Sequence, residues 1–70
     1  METEKVVTAN IAKEIKHSPK SQTQIAAEMG VSKQVISDYM AGRSFPSIFT
    51  LIKLCYVLDC EYRDILGEPR

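Results

Sequence analysis

What this 70-residue chain lacks narrows its function. No apolar run approaches the roughly 20 residues of a membrane-spanning helix. The first ten residues, METEKVVTAN, hold no basic stretch followed by an apolar one, so no signal peptide is read there. The expected compartment is the cytoplasm. Two cysteines, Cys55 and Cys60, and one histidine, His17, fall short of the about four ligands that a structural zinc takes. Both thiols are read as small buried hydrophobes, and a disulfide is not expected in a cytosolic chain. There is no glycine-rich phosphate loop, no metal-ligand spacing and no pair of carboxylates on one face. No catalytic reading survives, and no cofactor or metal is expected. Net charge is missing as well. Nine bases balance nine acids, which weighs mildly against nucleic-acid binding, because phosphate contacts call for a basic footprint.

What is present points to one small helical domain spanning residues 1–70. A chain of this length buries only about 60% of its unfolded surface, so its core is thin and shared. The charge is unevenly placed. Residues 13–43 carry five bases (Lys13, Lys16, Lys20, Lys33, Arg43) and three acids (Glu14, Glu28, Asp38), a local charge of +2. The two ends together carry −2. Positive charge therefore gathers around the middle of the chain, although a solvated surface would look similar.

Apolar periodicity and capping residues predict five helices. The first covers 4–17, with Val7, Ile11 and Ile15 on one face beside Ala12, and Ser18-Pro19-Lys20 breaks it. His17 is read as an exposed residue near that helix's C-terminal dipole. Ser21 caps the second helix, and Gln24 three residues on completes a capping-box pattern. Ile25, Ala26 and Met29 face inward, and Gly30 ends the helix. After Val31, Ser32 caps a third helix that runs to about Met40. Its inward residues are Val35, Ile36 and Tyr39. Its outward residues are Lys33, Gln34, Ser37 and Asp38. A loop over 41–46 leads to Ser47, the cap of a fourth helix that runs to about Leu58. Leu51, Ile52, Cys55 and Leu58 are its expected buried side. Asp59-Cys60 turns the chain into a short helix, Tyr62 to Leu66, that offers Ile65 and Leu66 to the core. Residues 1–3 and 67–70 are expected to fray. The central core is expected from Ile11, Ile15, Ile25, Ala26, Val31, Ile36, Leu51, Cys55, Leu58 and Leu66.

The stretch QTQIAAEMGVSKQVISDYMA, within residues 21–41, has a geometric logic. Two helices crossing at about 90–120° must approach closely. A small residue at Ala26 allows the approach, Gly30 turns the chain without strain, and Ile36 plugs the crossing. Residues 21–66 resemble, without a gap, the phage repressor and Cro class of helix-turn-helix domains, the Xre-like class. The resemblance rests on Ser21-Gln22, Ile25-Ala26, Met29-Gly30-Val31-Ser32, Ile36, Gly42-Arg43, Pro46-Ser47 and the Leu58-to-Leu66 ending. It implies an all-α, five-helix lambda-repressor-like DNA-binding domain with a central helix-turn-helix, bound to operator DNA as a homodimer.

The same resemblance implies site residues. Lys33, Gln34, Ser37 and Asp38 occupy base-facing positions. Gln22, Ser32, Arg43 and Ser44 occupy phosphate-facing ones. The chemistry suits these roles: Gln34 can pair with adenine, Lys33 with guanine, and Asp38 can accept from a cytosine amino group. Phe45 and Phe49 are expected at a dimer interface, since aromatics are enriched there. The family pattern is broken by Met40 where Glu is common, by Asp59 for Gly, and by Glu61 for a Ser-type cap. Loss of the Glu is expected to free Arg43 from an intradomain ion pair. The chain's ending after the fifth helix suggests a small Cro-like regulator or a fragment of a longer repressor. The rival reading is a protein-binding module, antirepressor or antitoxin-like, whose partner is a repressor protein; neutral charge and surplus aromatics would suit it.

Overall fold

The structure, a computed structural model, describes residues 3–67. Its helices are α1 (Thr3–His17), α2 (Gln22–Met29), α3 (Lys33–Ala41), α4 (Ile48–Leu58) and α5 (Tyr62–Leu66), and no strand occurs among the described residues. Thr3 already belongs to α1, and Gly67 closes α5 by donating its N–H to the Arg63 carbonyl at 2.9 Å. The rest of the expected fraying, at 1–2 and 68–70, lies outside the described residues.

Serine side chains start three of the helices. Ser21, Ser32 and Ser47 each sit in extended backbone and accept an N–H three residues on, from Gln24, Val35 and Thr50 respectively. Each cap satisfies a donor that the helix start leaves unpaired. At α2 only this half of the capping box forms, because the Gln24 amide donates to the Glu28 carboxylate at 3.1 Å instead. At α5 the box works from the far side: Asp64 accepts the Glu61 N–H at 2.9 Å.

Left-handed residues end α2, α3 and α4. Gly30, Gly42 and Asp59 each bring the following N–H back to a carbonyl five residues earlier: Val31 to Ala26, Arg43 to Asp38, and Cys60 to Cys55, at 2.9–3.0 Å.

The core takes one fully buried aliphatic side chain from each helix: Ile11, Ile25, Ile36, Leu54 and Ile65. Ile15, Ala26, Met29, Tyr39, Leu51, Cys55 and Val57 fill in around them. α1 packs on α3 and α5, and α2 packs on α3 and α4. Two long-range hydrogen bonds close the ends of this arrangement. Asn10 Nδ2 donates to the Ile65 carbonyl at 2.9 Å, and Lys20 Nζ donates to the Val57 carbonyl at 2.7 Å.

The structure corrects the expected core in four places. Leu54 is buried on α4 beside Leu51, Cys55 and Val57, whereas Ile52 is exposed. Ile65 alone anchors α5, with Leu66 half out in solvent. Val31 and Leu58 pack at the margin of the core, partly buried. α4 reads IFTLIKLCYVL, apolar on nearly every side, so periodicity could not choose its inner face. Both cysteines are free thiols, Cys55 buried and Cys60 partly so.

Candidate nucleic-acid interface

The helix-turn-helix is held by local geometry. Gly30 has φ 73° and ψ 30°, a conformation a side chain resists, and a Cβ built there would meet nothing within 4 Å. The requirement for glycine at the turn is therefore conformational, not steric. Ala26 and Ile36 are both buried at the approach of α2 to α3. Together these residues hold α3 with Ile36 and Tyr39 inward and its other side in solvent.

On that solvent side, Lys33 and Gln34 are exposed, and Ser37 and Asp38 are half-buried. Gln22, the first residue of α2, joins Lys33, Gln34 and Ser37 around one shallow depression. Three of the four expected base-facing residues and one expected phosphate-facing residue thus share a surface. Ser32 lies at the start of α3, where its hydroxyl oxygen accepts the Val35 N–H as the cap and its O–H is left to donate. Ser44 follows Arg43 in the exposed loop after α3.

Asp38 organises the far end of this face. Its Oδ1 accepts from Gln34 Nε2 at 2.9 Å and from Arg43 Nε at 2.9 Å. The Arg43 guanidinium first, and the Gln34 amide second, hold the Asp38 carboxyl below its ordinary range. The expectation that Arg43 is released from an intradomain pair is therefore overturned. The left-handed cap at Gly42 folds the chain back so that the Arg43 N–H meets the Asp38 carbonyl, and the two side chains meet beside it. Met40 takes no part and packs against the core.

Lys20 is committed in the same way. Its ammonium pairs with Glu28 at 2.7 Å as well as with the Val57 carbonyl. Two of the five central bases are thus engaged within the domain, and the electropositive footprint is smaller than the sequence count implies. The sequence carried a signal for the Gln34–Asp38 contact, since residues four apart share a helix face. It carried none for Arg43, whose approach depends on the turn at Gly42.

Phe45 and Phe49 are both exposed, in different surroundings. Phe45, 44% exposed, lies beside α1 near Thr8, Ala9 and Gly42. Phe49, 80% exposed, stands on α4 with Ile48 at 61%, Ile52 at 43% and Tyr56 at 88%. Ile52 and Tyr56 continue into a depression shared with Cys55, Cys60 and Tyr62. The exposed apolar surface is therefore a stripe along α4, wider than the two phenylalanines expected. Among the described residues no group of three or more His, Cys, Asp and Glu side chains is placed to hold a metal, and no helix is long and apolar enough to cross a membrane.

Comparison with known proteins agrees with this geometry. A solution structure of the SOS-response transcriptional repressor LexA from Eubacterium rectale superposes with a TM-score of 0.83 at 21% identity, covering 100% of this chain and 74% of that one. At that identity the likeness establishes the fold. No curated protein matches. The family model for helix-turn-helix domains matches residues 11–65, from the middle of α1 to α5. The chain belongs to the Xre/Cro-like helix-turn-helix family of DNA-binding transcription regulators.

Proposed function

We propose that this protein is a sequence-specific regulator of Cro/repressor type, binding operator DNA through α3 as a homodimer. The observation that carries this reading is the shared surface of Gln22, Lys33, Gln34 and Ser37 on the solvent side of the helix-turn-helix. In this reading Lys33, Gln34 and Ser37, with Asp38 beside them on the same face, meet base edges in the major groove, where all four base pairs differ in their hydrogen-bonding pattern. Gln22 and Ser32 at the two helix starts, with Arg43 and Ser44 in the following loop, meet phosphates. The base contacts select the sequence, and the phosphate contacts set the register.

Dimerisation runs along α4. Phe49 and Tyr56 alone expose on the order of 300 Å² of aromatic surface. With Ile48 and Ile52, and doubled across a two-fold axis, the buried area reaches about 1,000 Å², the lower bound of a specific interface. A weak dimer, completed on DNA, follows from that size. Two half-sites then lie about 10–10.5 bp apart.

The same exposed stripe favours a second reading, in which a repressor protein binds there and DNA is not the target. Salt separates the two. A DNA reader that neutralises several phosphates loses affinity steeply between about 50 and 200 mM salt. Retardation of no duplex at low salt, with a stable complex to a repressor partner, would favour the second reading.

A further inference from the structure

Asp38 is an acid on a face that approaches polyanionic DNA, and its surroundings show what it does there. Gln34 lies four residues earlier on α3, so the two side chains are neighbours. An ionised carboxylate only accepts hydrogen bonds. It therefore holds the nitrogen end of the Gln34 amide, at 2.9 Å, and repels the oxygen end. This contact uses one of the two N–H groups on Nε2. The other N–H and Oε1 remain free, and they are the donor and acceptor that the major-groove edge of adenine pairs with. Turned over, the same amide would lose its bond to Asp38.

Arg43 completes the arrangement. Its Nε–H donates to the same Oδ1 at 2.9 Å, which adds a second tether to the carboxylate and offsets its charge. The backbone reinforces the pair, since the Arg43 N–H donates to the Asp38 carbonyl at 2.9 Å. Both donors favour the ionised form that holds the amide in one orientation.

We propose that Asp38 is a positioning residue for base readout, which fixes the side-chain amide of Gln34 in one orientation and is itself masked from DNA by Arg43. This rests on the reading that α3 faces the bases. It assigns Asp38 a role exerted through Gln34, in place of a cytosine contact of its own. It also explains how an acid is tolerated on this face. Paired to Arg43, it contributes little net repulsion, and the pair restrains non-specific attraction as well.

The test measures binding of the full chain to its selected duplex and to every single-base variant of it, across a salt series. Gln34→Ala first identifies the base pair that Gln34 reads. Asp38→Ala is then expected to reduce discrimination at that same base pair by roughly 2–10-fold, the cost of freezing one rotamer-rich side chain. It is also expected to strengthen binding to unrelated duplex and to steepen the salt slope by up to about one phosphate, because the Arg43 charge that Asp38 offsets in the wild type then acts in full on its phosphate. In the Gln34→Ala background, Asp38→Ala should change discrimination at that base pair no further. Asp38→Asn keeps an acceptor and loses the charge. It should retain more discrimination than Asp38→Ala while steepening the salt slope equally. A thermal melt of each variant confirms folding, which a half-exposed position should leave intact. The proposal is overturned if Asp38→Ala alters preference at a different base pair, the mark of a direct contact, or if it leaves both discrimination and salt slope unchanged. A wild-type chain with no sequence preference on any duplex would instead overturn the DNA reading, and this proposal with it.

Discussion

Gly30 and Gly42 adopt nearly the same left-handed conformation, yet alanine should be tolerated very differently at the two. Their φ values are 73° and 76°, so the conformational cost of a Cβ is alike, about 1–2 kcal/mol. Each substitution recovers about 0.4–1 kcal/mol by narrowing the unfolded ensemble. The surroundings then decide. A Cβ on Gly30 meets nothing within 4 Å. A Cβ on Gly42 comes to 2.9 Å from Thr8 Cγ2. Thr8 is β-branched and belongs to α1, which packs on α3, so the methyl can escape only by leaving its rotamer or by shifting the helices. An off-rotamer side chain costs about 0.5–1.5 kcal/mol. Gly30→Ala is therefore expected to destabilise by about 1 kcal/mol, and Gly42→Ala by about 2 kcal/mol. Urea denaturation of both variants measures the difference. Adding Thr8→Ala to Gly42→Ala should close most of the gap, measured against Thr8→Ala alone. Equal losses at the two glycines, or a gap that survives removal of the Thr8 methyl, would mean that Thr8 does not set the difference.

Other consequences follow from burial and charge. Leu54→Ala should cost about 2–5 kcal/mol, whereas Ile52→Ala should change stability by no more than about 0.5 kcal/mol; chemical denaturation checks both. Tyr56→Asp should abolish concentration-dependent dimerisation in analytical ultracentrifugation while leaving the melting temperature nearly unchanged, because the side chain is almost wholly exposed. Burial first, and the neighbouring Cys55 second, push the Cys60 thiol up to about 12. A thiol held neutral in the folded chain ionises earlier when unfolded, so stability should fall as pH rises from about 9 towards 12. Cys60→Ser should flatten that fall, and native Cys60 should react slowly with alkylating reagents near pH 8.

The parts of the fold that were legible in the sequence are those decided locally. Ser21, Ser32 and Ser47 mark helix starts because a side-chain oxygen and an N–H three residues on suffice for a cap. Gly30 and Gly42 mark helix ends because each takes the left-handed conformation that glycine adopts freely. Ile11, Ile25 and Ile36 were legible as core because each lies on a helix with a polar opposite face. α4 has no such contrast, which is why Ile52 and Leu54 exchanged places. α5 spans five residues, too short for periodicity to separate Ile65 from Leu66. The outward set on α3 could be read from the same periodicity that buried Ile36 and Tyr39. The pairing of Asp38 with Arg43 could not, because it depends on the direction the chain takes after Gly42. The place of Phe45 beside α1 escaped for a similar reason, since it depends on the path of the loop after Gly42.

Selection of bound sequences from a random pool of duplex DNA decides whether α3 reads bases. The expected result is one enriched motif with two-fold symmetry, its half-sites centred about 10–10.5 bp apart, and loss of preference at one position of each half-site in Gln34→Ala. Enrichment of no sequence at low salt, or a motif that Gln34→Ala leaves unchanged, would mean that α3 does not read DNA through Gln34.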